Sequence, residues 1–376
     1  MNKANKLSVV YNGACVGTLA LYRNYCSAFE YSDEWIANGF SISPFSLPLE
    51  KKVFIPNVDP FEGLFGVFSD SLPDGWGRLL VDRLLKKKGI EPHVVTSLDR
   101  LAIVGDTGMG ALEYVPSQVI TDKEDKLSLD DIARECKKIL GAKSSDKLDT
   151  LVTLGGSPGG ARPKTLMSID DNEWIIKFFA REDRDDMGRQ EYEYALCAGK
   201  CGIEVSEVRL FDSNICDGYF GTKRFDRVII NGSIRKRHMI TASALLETSH
   251  RVPNLDYDLL MKLTLKMTND MSECEKLYRR MCFNVFAHNR DDHSKNFTYM
   301  YIDEESRWVL SPAYDLTYSN SIGGEHATTI NGEGMNPDIE DILAIAENIG
   351  INRKKAKDIA LSIYECVQEE LKEWID

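Results

Sequence analysis

The sequence predicts an α+β protein that has a β-rich N-terminal part and a mostly helical C-terminal lobe. Short strand patterns separated by turn residues fill the first third of the chain, whereas helical periodicity dominates beyond residue 226. Between them, a glycine-rich loop precedes a strand that contains Lys177 and a helix that contains Glu191. Because protein kinases use this order in their N-lobe, the predicted fold is two-lobed and protein-kinase-like, with a small N-terminal β-rich subdomain.

The N-terminal elements follow from local patterns. Residues 7–11 and 16–19 alternate like strands, and Asn12-Gly13 between them predicts a type I′ hairpin in a small antiparallel sheet that extends to about residue 46. Helical spacing predicts a helix from Leu79 to Lys88. Residues 121–145 are strongly charged and contain one amphipathic helix, 129–140, which indicates a connector between units.

The remaining elements define three domains. Helices are predicted at 190–201, 242–247, 257–267, 273–287, 338–348 and 353–374. We expect an N-terminal β-rich subdomain with its connector at 1–120, an N-lobe with the glycine-rich loop at 121–225, and a helical C-lobe at 226–376.

Composition excludes several classes of function. The 59 acidic and 46 basic residues give a formal charge of −13, which disfavours direct binding to nucleic acid. No stretch approaches the roughly 18 apolar residues of a membrane span, and the first residues do not resemble a signal peptide. We therefore expect a cytoplasmic protein that does not contact a membrane.

Nine cysteines occur without a CxxC pair, which is typical of reduced thiols in the cytosol. Cys197 and Cys201 share a helix face. Two ligands do not form a zinc site, so this pair is interpreted as packing.

A continuous polar run, His288 to Asn296, follows the predicted helix whose Leu277, Met281 and Val285 face a core. Within it, Asp291 and Asn296 have the Asp-x₄-Asn spacing of a kinase catalytic loop. There the Asp accepts the proton of the attacking hydroxyl and the Asn holds Mg²⁺.

A predicted hairpin, 298–310, follows this run and leads to Asp315. Since a hairpin returns the chain to its start, we expect Asp315 beside Asn296, where a carboxylate and an amide oxygen would bind Mg²⁺. The alternative is that Asp315 is a turn residue or helix cap, and a single Asp-x₄-Asn occurs often by chance. His293 is interpreted as a brace of the loop, and Lys295 as a contact to the transferred phosphate.

The glycine-rich stretch 155–160 has the composition of a linker as well as that of a phosphate loop, and it lacks the Walker A pattern. Lys177 is more informative because it lies among apolar residues such as Trp174 and Phe178. A lysine in an apolar strand needs an anionic partner, either ATP phosphates or Glu191. The alternative is that Lys177 faces solvent on an edge strand.

These motifs together resemble the HipA family of serine/threonine kinases, the toxins of bacterial toxin–antitoxin pairs. The resemblance runs nearly end to end and is carried by residues 68–75 (FSDSLPDG), 104–112 (VGDTGMGAL), 156–164 (GSPGGARPK), 175–177 (IIK) and 291–297 (DDHSKNF). Asp292 stands where some members carry Gly, so it is expected to add charge beside the base.

The resemblance implies ATP and Mg²⁺ as cofactors, Asp291 as catalytic base, and Asn296 and Asp315 as metal ligands. It implies that Ser157 is an autophosphorylation site that switches the enzyme off, and Glu191 is a candidate for a structural ion pair. The nucleotide-binding candidates are Ser157, Gly159, Gly160, Ala161, Lys164, Lys177, Lys223, Phe225, His293 and Lys295.

The resemblance also implies partners. Well-studied members phosphorylate an aminoacyl-tRNA synthetase and are restrained by a small helix-turn-helix antitoxin, through which DNA is contacted only indirectly. The sequence thus predicts a serine/threonine protein kinase. Two alternatives are a small-molecule or lipid kinase and a weakly active scaffold that acts as corepressor.

Overall fold

The chain folds into a mixed α+β structure, as predicted. The computed structural model describes residues 3–23, 25–121, 125–155, 159–180, 183–230, 232–321 and 323–375. The predicted phosphosite Ser157 lies outside the described residues. None of the described helices is both long enough and apolar enough to cross a lipid bilayer.

Strands and helices alternate irregularly along the chain. The strands are β1 (Lys6–Tyr11), β2 (Ala14–Tyr22), β3 (Cys26–Tyr31), β4 (Leu112–Val115), β5 (Lys164–Ile169), β6 (Asn172–Lys177), β7 (Val208–Phe211), β8 (Tyr219–Lys223), β9 (Arg227–Ile230), β10 (Ser233–Lys236), β11 (Met239–Thr241), β12 (Leu255–Asp256), β13 (Thr298–Ile302), β14 (Arg307–Leu310) and β15 (Thr328–Thr329). The α-helices are α1 (Asp33–Asn38), α2 (Gly66–Ser69), α3 (Gly75–Lys87), α4 (Ser97–Val104), α5 (Leu129–Leu140), α6 (Leu148–Gly155), α7 (Met187–Lys200), α8 (Ala242–Leu245), α9 (Tyr257–Thr268), α10 (Met271–Phe286), α11 (Ile339–Ile349), α12 (Arg353–Glu370) and α13 (Lys372–Ile375).

Two compact units contain these elements. The first consists of residues 1–185, 211–240 and 244–248, and the second of residues 186–210, 241–243 and 249–376.

The first unit contains two antiparallel sheets. One has the strand order β3–β2–β1–β4, and the other pairs β5 with β6 and β6 with β8. The predicted turn at Asn12-Gly13 is present, and a second turn of the same kind joins β5 to β6. Asn12 and Gly13 have φ of 46° and 88°, and Asp170 and Asp171 have φ of 52° and 59°, so both loops take the positive angles that a type I′ turn requires.

The predicted β pattern of the N-terminal part is wrong beyond Tyr31. Residues 33–38 form the short helix α1 because the Ser32 hydroxyl caps it, accepting a hydrogen bond from the Trp35 backbone N–H at 3.1 Å. Trp35 is buried and its ring packs edge-on against Tyr11 at a centroid distance of 5.6 Å. Tertiary packing of one aromatic residue thus outweighs the local strand pattern.

A single apolar core joins α3, α5, α6 and the β5–β6–β8 sheet of the first unit. Residues from each contribute to it, among them Leu80, Ile132, Leu151, Ile176 and Tyr219. The charged segment around α5 therefore also packs as part of this unit, with its apolar face inward and its acidic and basic residues outside.

A buried ion cluster lies where β8 leads into β9. The cluster consists of three side chains, each less than about a tenth exposed: Arg224, Asp226 and Arg227. Asp226 Oδ2 lies 2.8 Å from a nitrogen of each arginine. Gly110 N–H donates to the same carboxylate at 2.7 Å, and Arg224 donates to the Gly108 carbonyl at 3.1 Å. Burial alone would favour the neutral acid, but the two guanidiniums outweigh it and lower the pKa of Asp226.

The second unit is mostly helical, with α9, α10, α11 and α12 around one core. Leu277, Met281 and Val285 of α10 are buried, as the helical spacing predicted. The hairpin β13–β14 is antiparallel, with Tyr299 opposite Leu310. The predicted closing helix 353–374 is divided at Leu371, where α12 ends and α13 begins one residue later.

Replacing Asp226 with Asn should lower the free energy of unfolding of the first unit by about 3–5 kcal/mol, because two guanidiniums lose a buried counterion. Urea unfolding measures this, with the exposed Asp106→Asn as control. Because the pKa of folded Asp226 lies below its unfolded value of about 3.9, the difference between the two variants should persist down to about pH 4 and shrink as the pH falls further. Equal stability of both variants would mean that the cluster contributes nothing.

Candidate active site

The glycine-rich segment leads directly into β5 in the first unit. Gly160 has φ of 98°, and a Cβ at this position would lie 2.5 Å from Lys164 Nζ. Only glycine fits here without displacing the lysine. The backbone of the loop and the Lys164 ammonium are therefore in close contact.

Asp74 at the start of α3 holds this loop. Its carboxylate accepts a hydrogen bond from Gly160 N–H, and the Gly160 carbonyl accepts one from Trp76 N–H at 3.0 Å. Gly75 lies against the same carbonyl. A Cβ added to Gly75 would be only 2.5 Å from the Gly160 carbonyl oxygen. Sequence reasoning missed this role because Pro73-Asp74-Gly75 has the composition of an ordinary turn, and nothing local connects it to a loop in another part of the chain.

Two lysines face each other where β5 pairs with β6. Lys164 lies directly opposite Lys177, so their side chains project from the same face of the hairpin. Lys164 is only 7% exposed, and Lys177 is half-buried with Nζ 5.6 Å from the centre of the Phe220 ring. Like charges directly opposite are unfavourable, whereas an anion with several oxygens would be stabilised by both ammonium groups.

The other residues of the first unit that were predicted to bind nucleotide differ in their solvent exposure. Ala161 is exposed, and Gly159 is half-buried. Lys223 and Phe225 are half-buried, and they alternate with the buried Arg224 and Asp226 of the ion cluster.

In the second unit, α7 carries the predicted ion-pair residue. Glu191 is 7% exposed, as expected of a carboxylate that has a partner. Three positions further along, Tyr194 donates from its hydroxyl to the Ala287 carbonyl at 3.0 Å, at the C-terminal end of α10. This bond joins α7 to the beginning of the polar loop.

The polar loop begins where α10 ends. His288 has φ of 51°, a left-handed conformation that stops the helix and is uncommon outside glycine. Burial, reinforced by the positive charge of Arg290, lowers the pKa of His288. Beyond this turn, Asp291 has an exposed side chain (65%), and His293 Nε2 lies 4.0 Å from its Oδ1.

Asp292 points in the opposite direction from Asp291, into the core. Its side chain is completely buried and accepts hydrogen bonds from the Tyr257 hydroxyl at 2.8 Å and the Thr328 N–H at 3.2 Å. His326 Nδ1 lies 2.9 Å away, and because a carboxylate only accepts, this nitrogen carries the proton. Burial, and then the Asp292 charge, raise the pKa of Tyr257 well above its usual value, which keeps its hydroxyl a donor.

The expectation that Asp292 adds charge beside the base is therefore wrong. The two neighbouring side chains have opposite environments, Asp291 in solvent and Asp292 in the core, and three donors compensate the buried charge. Asp292 anchors the loop from inside. No local pattern could predict this role, because Tyr257 and His326 are distant from Asp292 in the chain.

Asn296 lies at the other end of the loop, in a short 3₁₀ turn, Ser294–Asn296. Its Nδ2 donates to the Asp291 carbonyl at 2.7 Å, which fixes the orientation of the amide and directs Oδ1 away from that carbonyl. Lys295 is half-buried, and its carbonyl accepts from the Tyr314 hydroxyl at 2.6 Å. His293 is about one-quarter exposed, and its ring lies 5.4 Å from that of His250. Among the residues that the structure describes, its Nδ1 has no hydrogen-bond partner.

Asp315 follows the returning hairpin. Tyr314 contacts the loop through Lys295, and Asn289 Nδ2 donates to the Asp315 carbonyl at 3.5 Å. Asp315 itself is half-buried and has φ of 52°. A non-glycine residue in this conformation is held there by its surroundings, which is common at functional sites.

These residues fit the two groups that the sequence implies. The Asn296 Oδ1 and the Asp315 carboxylate are hard oxygen donors of the kind that Mg²⁺ prefers. Lys164, Lys177 and the backbone of Gly160 are suited to phosphate oxygens.

Comparison with known proteins identifies relatives of both parts of the chain. Residues 156–371 match the HipA-like C-terminal domain family, and residues 7–115 match the HipA N-terminal domain family. Y4dM of Sinorhizobium fredii, named as a kinase, is 24% identical over 88% of this chain and 81% of its own length.

A solved structure is also similar. It is HipA of Shewanella oneidensis MR-1 in a toxin–antitoxin complex with HipB and its operator DNA. It has a TM-score of 0.72 and 17% identity, and the match covers 98% of this chain and 90% of that one. This similarity confirms the kinase-like α+β fold.

The Asp292→Asn variant should lose about 3 kcal/mol of stability in the second unit, because an amide nitrogen would face hydrogen-bond donors in a buried site. Denaturant unfolding followed by fluorescence measures the loss. The neighbouring Asp291→Asn change is the matched control, and at an exposed position it should alter stability by less than about 0.5 kcal/mol. The anchoring role is refuted if both variants are equally stable.

Proposed function

Because the chain belongs to the HipA family, we propose that it is an ATP- and Mg²⁺-dependent kinase that transfers a phosphoryl group to a serine or threonine hydroxyl of a protein. The observation that supports this best is the bond from the Asn296 amide to the Asp291 carbonyl. It joins the side chain of Asn296 to the backbone of Asp291, and the solvent-accessible carboxylate of Asp291 and the amide oxygen of Asn296 match the base and metal ligand of a kinase catalytic loop.

Asp291 is the group that acts on the acceptor hydroxyl. Its carboxylate is 65% exposed, so it reaches a substrate without rearrangement, and its backbone is held by Asn296 on one side and by the buried Asp292 on the other. It accepts the proton as the hydroxyl oxygen attacks phosphorus. General bases of this kind contribute roughly 10²–10⁴-fold to rate.

The nucleotide is held from the first unit. Lys164 and Lys177 bind its phosphate oxygens with their ammonium groups, while Asp74 keeps the backbone of Gly160 in place. Asn296 and Asp315 of the second unit would hold Mg²⁺, which would neutralise phosphate charge and orient the transferred group. His293 and Lys295 stand in the same loop as Asp291, where a positive charge would contact the phosphate.

A partner is part of the proposal. The Shewanella HipA was solved with HipB and operator DNA, so we extend an antitoxin partner to this chain. The formal charge of −13 supports DNA contact through that partner rather than through the kinase itself. The kinase is expected to act in the cytoplasm.

The Asp291→Asn variant should bind nucleotide as well as the original chain does but transfer phosphate about 10²–10⁴-fold more slowly. Transfer from labelled ATP to the kinase itself and to candidate acceptor proteins measures the rate, and calorimetry measures nucleotide binding. Wild-type rates in this variant would exclude Asp291 as the base. Loss of nucleotide binding would indicate a misfolded loop instead, and circular dichroism tests for that.

The Asp315→Ala variant tests the metal site separately. Because Asp315 would contact nucleotide only through Mg²⁺, ATP affinity should fall in the presence of Mg²⁺ and stay unchanged in its absence. Titration calorimetry in magnesium-containing and chelator-containing buffers measures both affinities. Equal losses in the two buffers would show that Asp315 has a structural role.

A further inference from the structure

Three cysteines converge in the second unit, and none of them is among the residues proposed for phosphoryl transfer. The sulfur atoms of Cys197, Cys201 and Cys366 all lie within 4.8 Å of one another. Cys197 and Cys201 are buried, and Cys366 is half-buried. The sequence offered only the first two, which share a helix face. Cys366 comes from α12, and only folding brings it to this position.

The end of α7 presents two of these thiols in a fixed relation. Cys201 N–H donates to the Cys197 carbonyl at 2.9 Å, so helical geometry continues through Cys201 and stacks the two side chains one turn apart. Gly202 then takes φ of 72° and turns the chain away. The helix thus ends directly after its second thiol, as glycine at this position commonly allows.

Polar contacts hold α7 to the end of α12 and to α13, the short helix that follows α12 directly. Lys200 Nζ lies 2.5 Å from Glu370 Oε2, and Arg189 lies 2.7 Å from Glu373 at the opposite end of α7. The Trp374 indole N–H donates to Glu193 at 2.7 Å. The third thiol is therefore positioned by contacts that do not involve sulfur, which is the preorganisation that a ligand site needs.

The geometry suits a metal ion. Sulfurs around a tetrahedral zinc, with metal–sulfur bonds of about 2.3 Å, lie about 3.8 Å apart, so each pair in the cluster has to close by no more than about 1 Å. A disulfide needs the two sulfurs at about 2.05 Å and would leave the third thiol unused. Three converging thiols are thus better matched to one metal ion than to one disulfide.

We propose that Cys197, Cys201 and Cys366 bind a thiophilic divalent cation, with Zn²⁺ as the ion to test. The three sulfurs bind as thiolates after loss of their protons, and water completes the tetrahedron. The centre would have a net charge of −1, and the Lys200–Glu370 ion pair beside it adds no net charge. The bound ion joins α12 to α7, the helix that carries Glu191, so it should stabilise the second unit.

Metal titration of the full chain tests this proposal. Chelator-treated, fully reduced protein is titrated with Co²⁺ under argon and then with Zn²⁺. We expect one equivalent of Co²⁺ to produce thiolate-to-cobalt absorption in the near ultraviolet, and Zn²⁺ to abolish it by displacement. One equivalent of Zn²⁺ should also raise the melting temperature. No cobalt absorption and no zinc retained after gel filtration would overturn the proposal.

Cysteine-to-alanine variants distinguish the proposed metal ligands from other thiols of similar burial. Cys197→Ala and Cys366→Ala should weaken zinc binding by more than about 100-fold, since even outer-shell losses cost roughly 10–100-fold. Cys274→Ala matches the first in burial and Cys216→Ala matches the second, and neither should change the affinity. Equal losses in cluster and control variants would refute the site.

A variant that keeps a ligand atom distinguishes loss of a metal ligand from loss of packing. Cys366→His keeps a ligand atom for zinc, so it should recover part of the affinity that Cys366→Ala loses and shift the cobalt spectrum toward mixed sulfur and nitrogen ligation. A packing role predicts no such recovery, because imidazole is larger than the thiol it replaces. Failure of the histidine variant to bind, while its circular dichroism remains native, would contradict the proposal.

Discussion

The buried carboxylate of Asp292 is the constraint on which the polar loop depends. A charge with no exposure is tolerated only when hydrogen bonds replace its hydration, and Tyr257, His326 and Thr328 supply them. Asn284 extends this network by donating to the Tyr257 hydroxyl at 2.9 Å. Since these donors come from α9, α10 and the 326–328 segment, the loop is fixed by the body of the unit. Asp291 can therefore be exposed and still be held at a defined position.

In the first unit, a carboxylate holds the backbone of a glycine at two places. The Asp74 carboxylate holds the backbone of Gly160, and the Asp226 carboxylate holds the backbone of Gly110. In each case a carboxylate accepts a hydrogen bond from a glycine N–H, at a place where the chain has a positive φ and no side chain to hold it. Both motifs that carry the family resemblance in the N-terminal part take part in these contacts: 68–75 supplies the carboxylate that holds Gly160, and 104–112 contains the glycine that Asp226 holds. The phosphate-binding chemistry that we propose for Lys164 and Lys177 depends on the first of these contacts.

Helix α7 connects several of these features within the second unit. It carries the buried Glu191, contacts the end of α10 through Tyr194, and presents two thiols to α12. Protein kinases have a helix whose glutamate forms an ion pair that is needed for activity, and Glu191 is our candidate for that residue. A metal ion bound where α7 ends would add a constraint on that helix without taking part in phosphoryl transfer.

Local patterns in the sequence determined the elements that local interactions decide. The type I′ turn at Asn12-Gly13, the bounds of α5 and the β13–β14 hairpin all depend on residues close in the chain, and all three predictions are confirmed. The sequence motifs also predicted the family, which the family comparison confirms. The domain boundaries and the roles of the site residues stay predictions. Only the tertiary structure decided the direction of Asp292, the contact of Asp74 with Gly160, and the arrival of Cys366 beside Cys197. Each depends on a partner far away in the chain, and a buried polar group or thiol takes its role from that partner rather than from its neighbours in sequence.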